Sequence, residues 1–152
     1  NLPFGFDVKN IDDFPVKGNY FSYSGKNPFN YLIYPMPDEL GLGIHSTINI
    51  ANELKFGPDV DQESTSYEVN IKKLKMFYEL IKKWWPQIDI NKLSPSYVGI
   101  RPKIKNSGSI LKDYLIQHKK INNSSYISLL GIESPGITSS LAIGSYCYSY
   151  RN

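Results

Sequence analysis

The chain has 152 residues, with Lys+Arg 17 against Asp+Glu 14 for a formal charge of +3, and is 41% hydrophobic, 14% aromatic and 20% charged. That balance suits one globular core, or pieces of two domains, and excludes a disordered segment. A single cysteine, Cys147, excludes an internal disulfide framework and a cysteine-rich zinc site, and no apolar run approaches the roughly 20 residues of a membrane-spanning helix.

The first ten residues, NLPFGFDVKN, have neither a basic region nor an apolar stretch, so they are no signal peptide. Without an initiator Met, the sequence is read as a fragment or a processed chain. The expected location is the cytoplasm, at most peripheral to a membrane. Positive charge comes from 15 Lys and only 2 Arg. The chain is also crowded with Asn, Ile and Tyr, whose codons, like those of Lys, are AT-rich. Its basicity therefore argues for no nucleic-acid partner.

In chain order, residues 16–24 (VKGNYFSYS) and 30–37 (NYLIYPMP) are rich in aromatic and β-branched residues and bounded by Gly, Asn and Pro, which predicts strands. Residues 42–50 (LGIHSTINI) alternate as a half-buried strand, and Ala51-Asn52-Glu53 turns the chain into LKFGPDV as a hairpin. The stretch Gly41-Leu42-Gly43-Ile44-His45-Ser46 imitates part of a dinucleotide fingerprint, but a β-branched run stands where a helix must open. Residues 70–85 form the clearest helix: Ile71, Leu74, Tyr78, Ile81 and Trp85 share a stripe with Phe77 and Trp84, Asn70 caps it and Pro86 stops it. The two tryptophans read as core anchors rather than a ligand cage. Lys72, Lys73, Lys75, Lys82 and Lys83 read as a solvated face.

Further on, 96–104 is expected as a strand, 105–109 as a loop, 113–118 as a strand and 119–125 as a turn. From Tyr126 an apolar strand runs through a short turn into a final helix. The fold class is α+β: an antiparallel or mixed sheet with a long helix, then a strand–helix segment.

Three features could carry chemistry. In Leu129–Gly144 (LLGIESPGITSSLAIG), Ser134 suits an N-cap and Pro135 a first helical position, while Gly136 permits a close approach. Small residues from Ser139 to Ser145 would keep that helix slim for tight packing. Its N–H groups suit a phosphate, a carboxylate or the N1/C2=O edge of a reduced flavin, or they belong simply to a well-capped helix. Arg101 sits in the apolar run Tyr97–Pro102, and its planar fork suits either a carboxylate ligand or an internal ion pair. His45 lies on the more polar face of its strand, as an acid/base or as a structural histidine. His118 has no paired ligands nearby, and no metal site can be assembled.

Taken together, KGNYF (17–21), YLIYPMPD (31–38), LGIHSTI (42–48), KFGPDV (55–60), FYELIKKWWP (77–86), YVGIRPKI (97–104) and LLGIESPGITSSLAIG (129–144) resemble the C-terminal part of the D-amino-acid-oxidase-like (DAO) FAD-dependent oxidoreductases. The resemblance is strongest to the branch of L-2-hydroxyglutarate oxidases/dehydrogenases and FAD-dependent glycerol-3-phosphate dehydrogenases. It implies a partial substrate-binding domain over 1–98 and the return segment of an FAD-binding domain over 99–152. The family's N-terminal Rossmann unit, with its Gly-x-Gly-x-x-Gly, has no counterpart here. That missing half is an expected partner, and exposed apolar surface is expected to favour self-association.

By the same resemblance FAD is the cofactor, and Gly131, Ile132, Glu133, Ser134, Pro135, Gly136 and Thr138 line it. Arg101 binds a substrate carboxylate, Tyr34 and His45 face the pocket, and His45 takes the hydroxyl proton. The implied reaction is hydride transfer from a small carboxylate-bearing 2-hydroxy acid, with an amino acid or glycerol 3-phosphate as alternative substrates. A non-catalytic fragment acting as a binding domain is the rival reading.

Overall fold

The structure, a computed structural model, describes residues 10–36, 43–62 and 64–151. Its contacts divide the chain into two compact units, Val16–Ile100 and a second made of residues 1–15 with Arg101–Asn152. In this division the opening residues group with the C-terminal segment. Strand β1 (Ile11–Asp13) pairs with a strand of that segment, Ile104–Asn106.

In the Val16–Ile100 unit, β2 (Val16–Tyr23), β3 (His45–Ile48), β4 (Leu54–Gly57) and β5 (Leu93–Arg101, which ends one residue beyond the unit) form one sheet in the order β3-β4-β2-β5. The expected β3–β4 hairpin is present, antiparallel, with His45 opposite Gly57 and Thr47 opposite Lys55. Its turn is built by Asn49, whose Oδ1 accepts from the N–H groups of Ala51 and Glu53, and by Asn52 at φ 62°.

Residues 30–36 form no strand, contrary to their composition. Ile33 ties the segment to β3: its N–H donates to Ser46 Oγ at 2.8 Å, and Ser46 N–H donates to Ile33 O at 2.9 Å. Pro35 has no N–H to extend that pairing. Pro37 and Leu42, the ends of the two expected strands, lie outside the described residues.

Helix α1 (Leu74–Lys82) covers one face of the sheet and opens through a 3-10 turn at Ile71–Lys73. Asn70 caps that turn by accepting from Lys72 N–H. Phe77 and Ile81 are fully buried against Phe21, Phe56 and Leu54, and Phe21 meets Phe77 at 4.6 Å between ring centroids. Trp85 packs edge-on to Tyr23 at 5.0 Å and to Phe29 at 5.1 Å, so it anchors the core. Each such side chain adds roughly 1.5–3 kcal/mol of hydrophobic stabilisation. Ile71 falls outside the stripe and is exposed, because the 3-10 turn tightens the helix start.

Lys73 leaves the solvated lysine face. Its ammonium bridges Asp59 at 2.8 Å and Asp61 at 3.0 Å, and both carboxylates are buried. Fully buried Asn19 completes the network: its Nδ2 donates to both aspartates, while its Oδ1 accepts from Asn70 N–H. Buried Lys17 donates to Glu68 O. KGNYF and KFGPDV are thus stitched to the start of α1, and position 57 requires glycine, since its φ is 138° and a Cβ there would meet Asn19 O at 2.6 Å.

The second unit contains the antiparallel sheet β1-β6-β7, with β6 Ile104–Asn106 and β7 Ser109–Ile110, and the hairpin β8 (Leu115–Ile121)–β9 (Ser124–Leu130). The expected strand 96–104 is therefore two strands, β5 and β6, and the expected loop 105–109 is a tight reversal at Ser107-Gly108, both at positive φ. Helix α2 (Ser140–Tyr148) follows. Among the described residues, no helix is long and apolar enough to cross a membrane.

Candidate functional site

The sheet of the Val16–Ile100 unit has a second face, turned away from α1. Cross-strand partners share a face, so His45, Gly57 and Tyr20 form one row on it, and Thr47, Lys55 and Ser22 the next. The burial follows: Ile44 and Ser46 face the core, while His45 is half-buried. Tyr34, from the segment pinned at Ser46, stacks on His45 with centroids 4.4 Å apart and planes 15° apart. Two of the expected pocket residues therefore meet.

Gly57 opens this face. A Cβ there would lie 2.8 Å from the Tyr20 ring, so the missing side chain lets Tyr20 lie across β4. Tyr97 stacks on Tyr20 at 4.3 Å and 11°, and Lys55 Nζ stands 5.2 Å from the Tyr97 centroid. The sequence reading missed Tyr20, Tyr97 and Lys55. The alternation within LKFG already put Lys55 and Gly57 on one side, but the partners across the sheet depended on register.

Arg101 closes β5 and is half-buried. It belongs to the second unit, as do the expected flavin contacts, whereas His45 and Tyr34 belong to the first. The stretch at 131–139 departs from expectation. Ser134 is not a helix N-cap and Pro135 is not a first helical residue: α2 opens only at Ser140, after a run of turns. Gly136 N–H donates to Glu133 O, which closes the chain into a turn before any helical ladder can start.

Gly136 does allow a close approach, but the approaching group is the chain's own Glu133 carbonyl, 2.7 Å from where a Cβ would stand. Ser139 precedes the helix, yet its hydroxyl points back to Pro135 O at 3.1 Å instead of capping. The small residues of α2 meet nothing at Gly144 among the described residues.

Gly131, Glu133, Ser134, Pro135 and Ser139 line a cavity of ≈ 230 Å³ with Lys103 and Tyr114. Ile132, Gly136 and Thr138 lie in the same turn but off its wall. Lys103 and Glu133 form an ion pair, and Tyr114 Oη donates to Glu133 O at 3.1 Å, so the turn is braced from both sides. Gly131, at φ 66°, brings the chain onto Ile104.

What this turn offers a ligand is its backbone N–H groups. The N–H groups of Gly136, Ser139 and Ser140 are taken by Glu133, Pro135 and Ile137 carbonyls. Among the described residues nothing accepts from the N–H of Ile137, Thr138, Leu141 or Ala142, all exposed at the positive end of α2. The free backbone donors of this stretch therefore begin three residues beyond Ser134.

Residues 4–148 match the family described as FAD dependent oxidoreductase (DAO). The chain is 40% identical over 145 residues to the mitochondrial L-2-hydroxyglutarate dehydrogenase of Arabidopsis thaliana, covering 86% of this chain and 30% of that protein. It is 25% identical over 136 residues to a glycerol 3-phosphate dehydrogenase of Caloramator mitchellensis, covering 87% of this chain and 27% of that one. The fold matches dithionite-reduced L-alpha-glycerophosphate oxidase from Mycoplasma pneumoniae with FAD bound: TM-score 0.73 at 21% identity, covering 93% and 37% of the two chains. The chain spans about 30% of the length of the curated relatives it matches.

Proposed function

Because the chain belongs to the DAO family of FAD-dependent oxidoreductases, we propose that its full protein oxidises a small carboxylate-bearing 2-hydroxy acid resembling L-2-hydroxyglutarate. The 40% identity to the Arabidopsis L-2-hydroxyglutarate dehydrogenase carries this reading. In it the Val16–Ile100 unit is the substrate-binding part, and the C-terminal segment is the return of the FAD-binding domain.

The chemistry that bound FAD supplies is acceptance of a hydride from the carbon bearing the hydroxyl. His45 takes the hydroxyl proton on its imidazole, with the Tyr34 ring stacked against it to hold the ring plane. Arg101 holds the substrate carboxylate through two parallel N–H donors. Gly131, Ile132, Glu133, Ser134, Pro135, Gly136 and Thr138 form the turn that would hold the flavin edge. Leading into α2, the free N–H groups of Ile137, Thr138, Leu141 and Ala142 would meet the anionic edge of the bound group.

The full-length protein, purified with its flavin, is mixed anaerobically with L-2-hydroxyglutarate, glycerol 3-phosphate and an L-amino acid in turn. Bleaching of the flavin band by the hydroxy acid is expected. Bleaching only by glycerol 3-phosphate would move the assignment toward the Caloramator relative's activity. Bleaching only by the amino acid would overturn both.

A further inference from the structure

Two half-buried lysines rest over aromatic rings, Lys105 over Phe14 and Lys55 over Tyr97, and of these Lys55 lies on the sheet face that carries His45. Lys73 is paired with Asp59 and Asp61, Lys17 donates to a backbone carbonyl, and Lys103 is paired with Glu133. Lys55 is half-buried and, among the described residues, has no carboxylate within ion-pair distance. Its ammonium rests over the Tyr97 ring on the face that carries His45. A cation–π contact holds an ammonium in place without neutralising it. The register then fixes its distance from the chemistry: Lys55 is the diagonal neighbour of His45, two residues along β4 from Gly57. Such neighbours stand about 7–8 Å apart at the backbone. In the order β3-β4-β2-β5 the Tyr97 ring lies on the other side of β4 from His45, so the ammonium stands across the sheet from the imidazole.

We propose that Lys55 binds a second anionic group of the substrate, at the end remote from the reacting carbon. The enzyme would then select dianions over acids with a neutral tail. The proposal rests on the 2-hydroxy-acid reading and deepens it: His45 marks the reacting end, and Lys55 reads the far end. The chemistry recognised is a terminal carboxylate or phosphate monoester, either of which one ammonium can meet as a point charge. Tyr20 and Tyr97, stacked beside it, form the apolar wall along which the carbon chain between the two ends would lie.

The test uses the full-length flavoprotein and three probes: L-2-hydroxyglutarate, 2-hydroxypentanoate (the same chain length with a neutral tail) and glycerol 3-phosphate. The wild type is expected to prefer one of the dianions over 2-hydroxypentanoate in kcat/KM, and which dianion it prefers separates carboxylate from phosphate. In Lys55→Met, which keeps the stem over Tyr97, that preference should fall about 10- to 100-fold, mainly through KM, the loss expected for one charge-assisted hydrogen bond. Lys55→Arg should recover most of it. An unchanged preference in Lys55→Met overturns the proposal. So does a wild type that favours the neutral acid, although the 2-hydroxy-acid reading then stands. A wild-type flavin reduced by none of the three overturns both.

Discussion

Arg101 and His45 are assigned different tasks, and substitution separates them. Hydrogen bonds to a charged group contribute roughly 1.5–3 kcal/mol, so Arg101→Ala in the full protein should weaken carboxylate binding about 10- to 100-fold. Arg101→Lys should recover only part of that, because an ammonium cannot reproduce the planar fork. Steady-state KM for the preferred hydroxy acid measures both, and two unchanged values would give Arg101 to an internal ion pair. If His45 is the base, His45→Gln should keep its flavin while turnover falls by roughly 10²–10⁴-fold. The acidic limb of the pH–rate profile should vanish with it, since no imidazole is left to protonate. A variant that lost flavin while keeping its turnover per bound flavin would instead make the His45–Tyr34 stack a packing contact.

At the scale of elements, the start of α1 depends on a charge network, not on hydrophobic packing alone. Burial acts to lower the pKa of the Lys73 ammonium, but hydrogen bonds to Asp59 and Asp61, with their charges, outweigh it and hold the value above the ordinary lysine range. A raised pKa in the folded state means the stabilisation is complete at neutral pH. It is lost only as pH climbs beyond about 10.4 and through the raised value. Lys73→Met would strand two buried carboxylates, and breaking such a pair costs about 3–5 kcal/mol. Urea unfolding at pH 7 should show a loss of that size for Lys73→Met. Raising the wild type above pH 10.5 should reproduce part of it, whereas Lys75→Met, on the exposed face, should change little.

For the whole molecule, core is unevenly shared. The buried apolar cluster runs from Phe21 to Leu93 and lies entirely in the Val16–Ile100 unit, whereas Ile104 is the one buried hydrophobic residue described in the second unit. Native-state hydrogen exchange should therefore find the amides of β2, β4 and α1 exchanging through global unfolding, and those of β8, β9 and α2 through local openings. Equal protection in both units would contradict this. Cofactor binding should be uneven in the same way. These 152 residues contain no Gly-x-Gly-x-x-Gly, and in the proposed reading the donors leading into α2 would serve only a ring edge. Several charge-assisted bonds to the pyrophosphate, each roughly 1.5–3 kcal/mol, have no source in them. A chain of these residues alone should show no micromolar FAD affinity by fluorescence quenching. Stoichiometric binding would make the turn and its cavity a complete site.

Local chemistry determined much of this protein directly from its sequence. Alternation in HSTI and the packing of Phe77, Ile81 and Trp85 act over a few residues and are where the pattern put them, while the hairpin reversal starts at Asn49, two residues before the expected turn. Family membership was legible too, because seven short motifs in order constrain one another even though each is weak. Tertiary structure alone decided the rest. Residues 30–36 have the composition of a strand, yet their described hydrogen bonds to the sheet are those between Ile33 and Ser46. Ser134-Pro135 has the look of a helix start, but Glu133 O captures Gly136 N–H first and delays α2 to Ser140. Lys73 sits in a lysine run whose exposure was expected. Asp59 and Asp61, more than ten residues earlier, draw it inward because two buried carboxylates need a cation, and only the folded sheet brings them to the start of the helix.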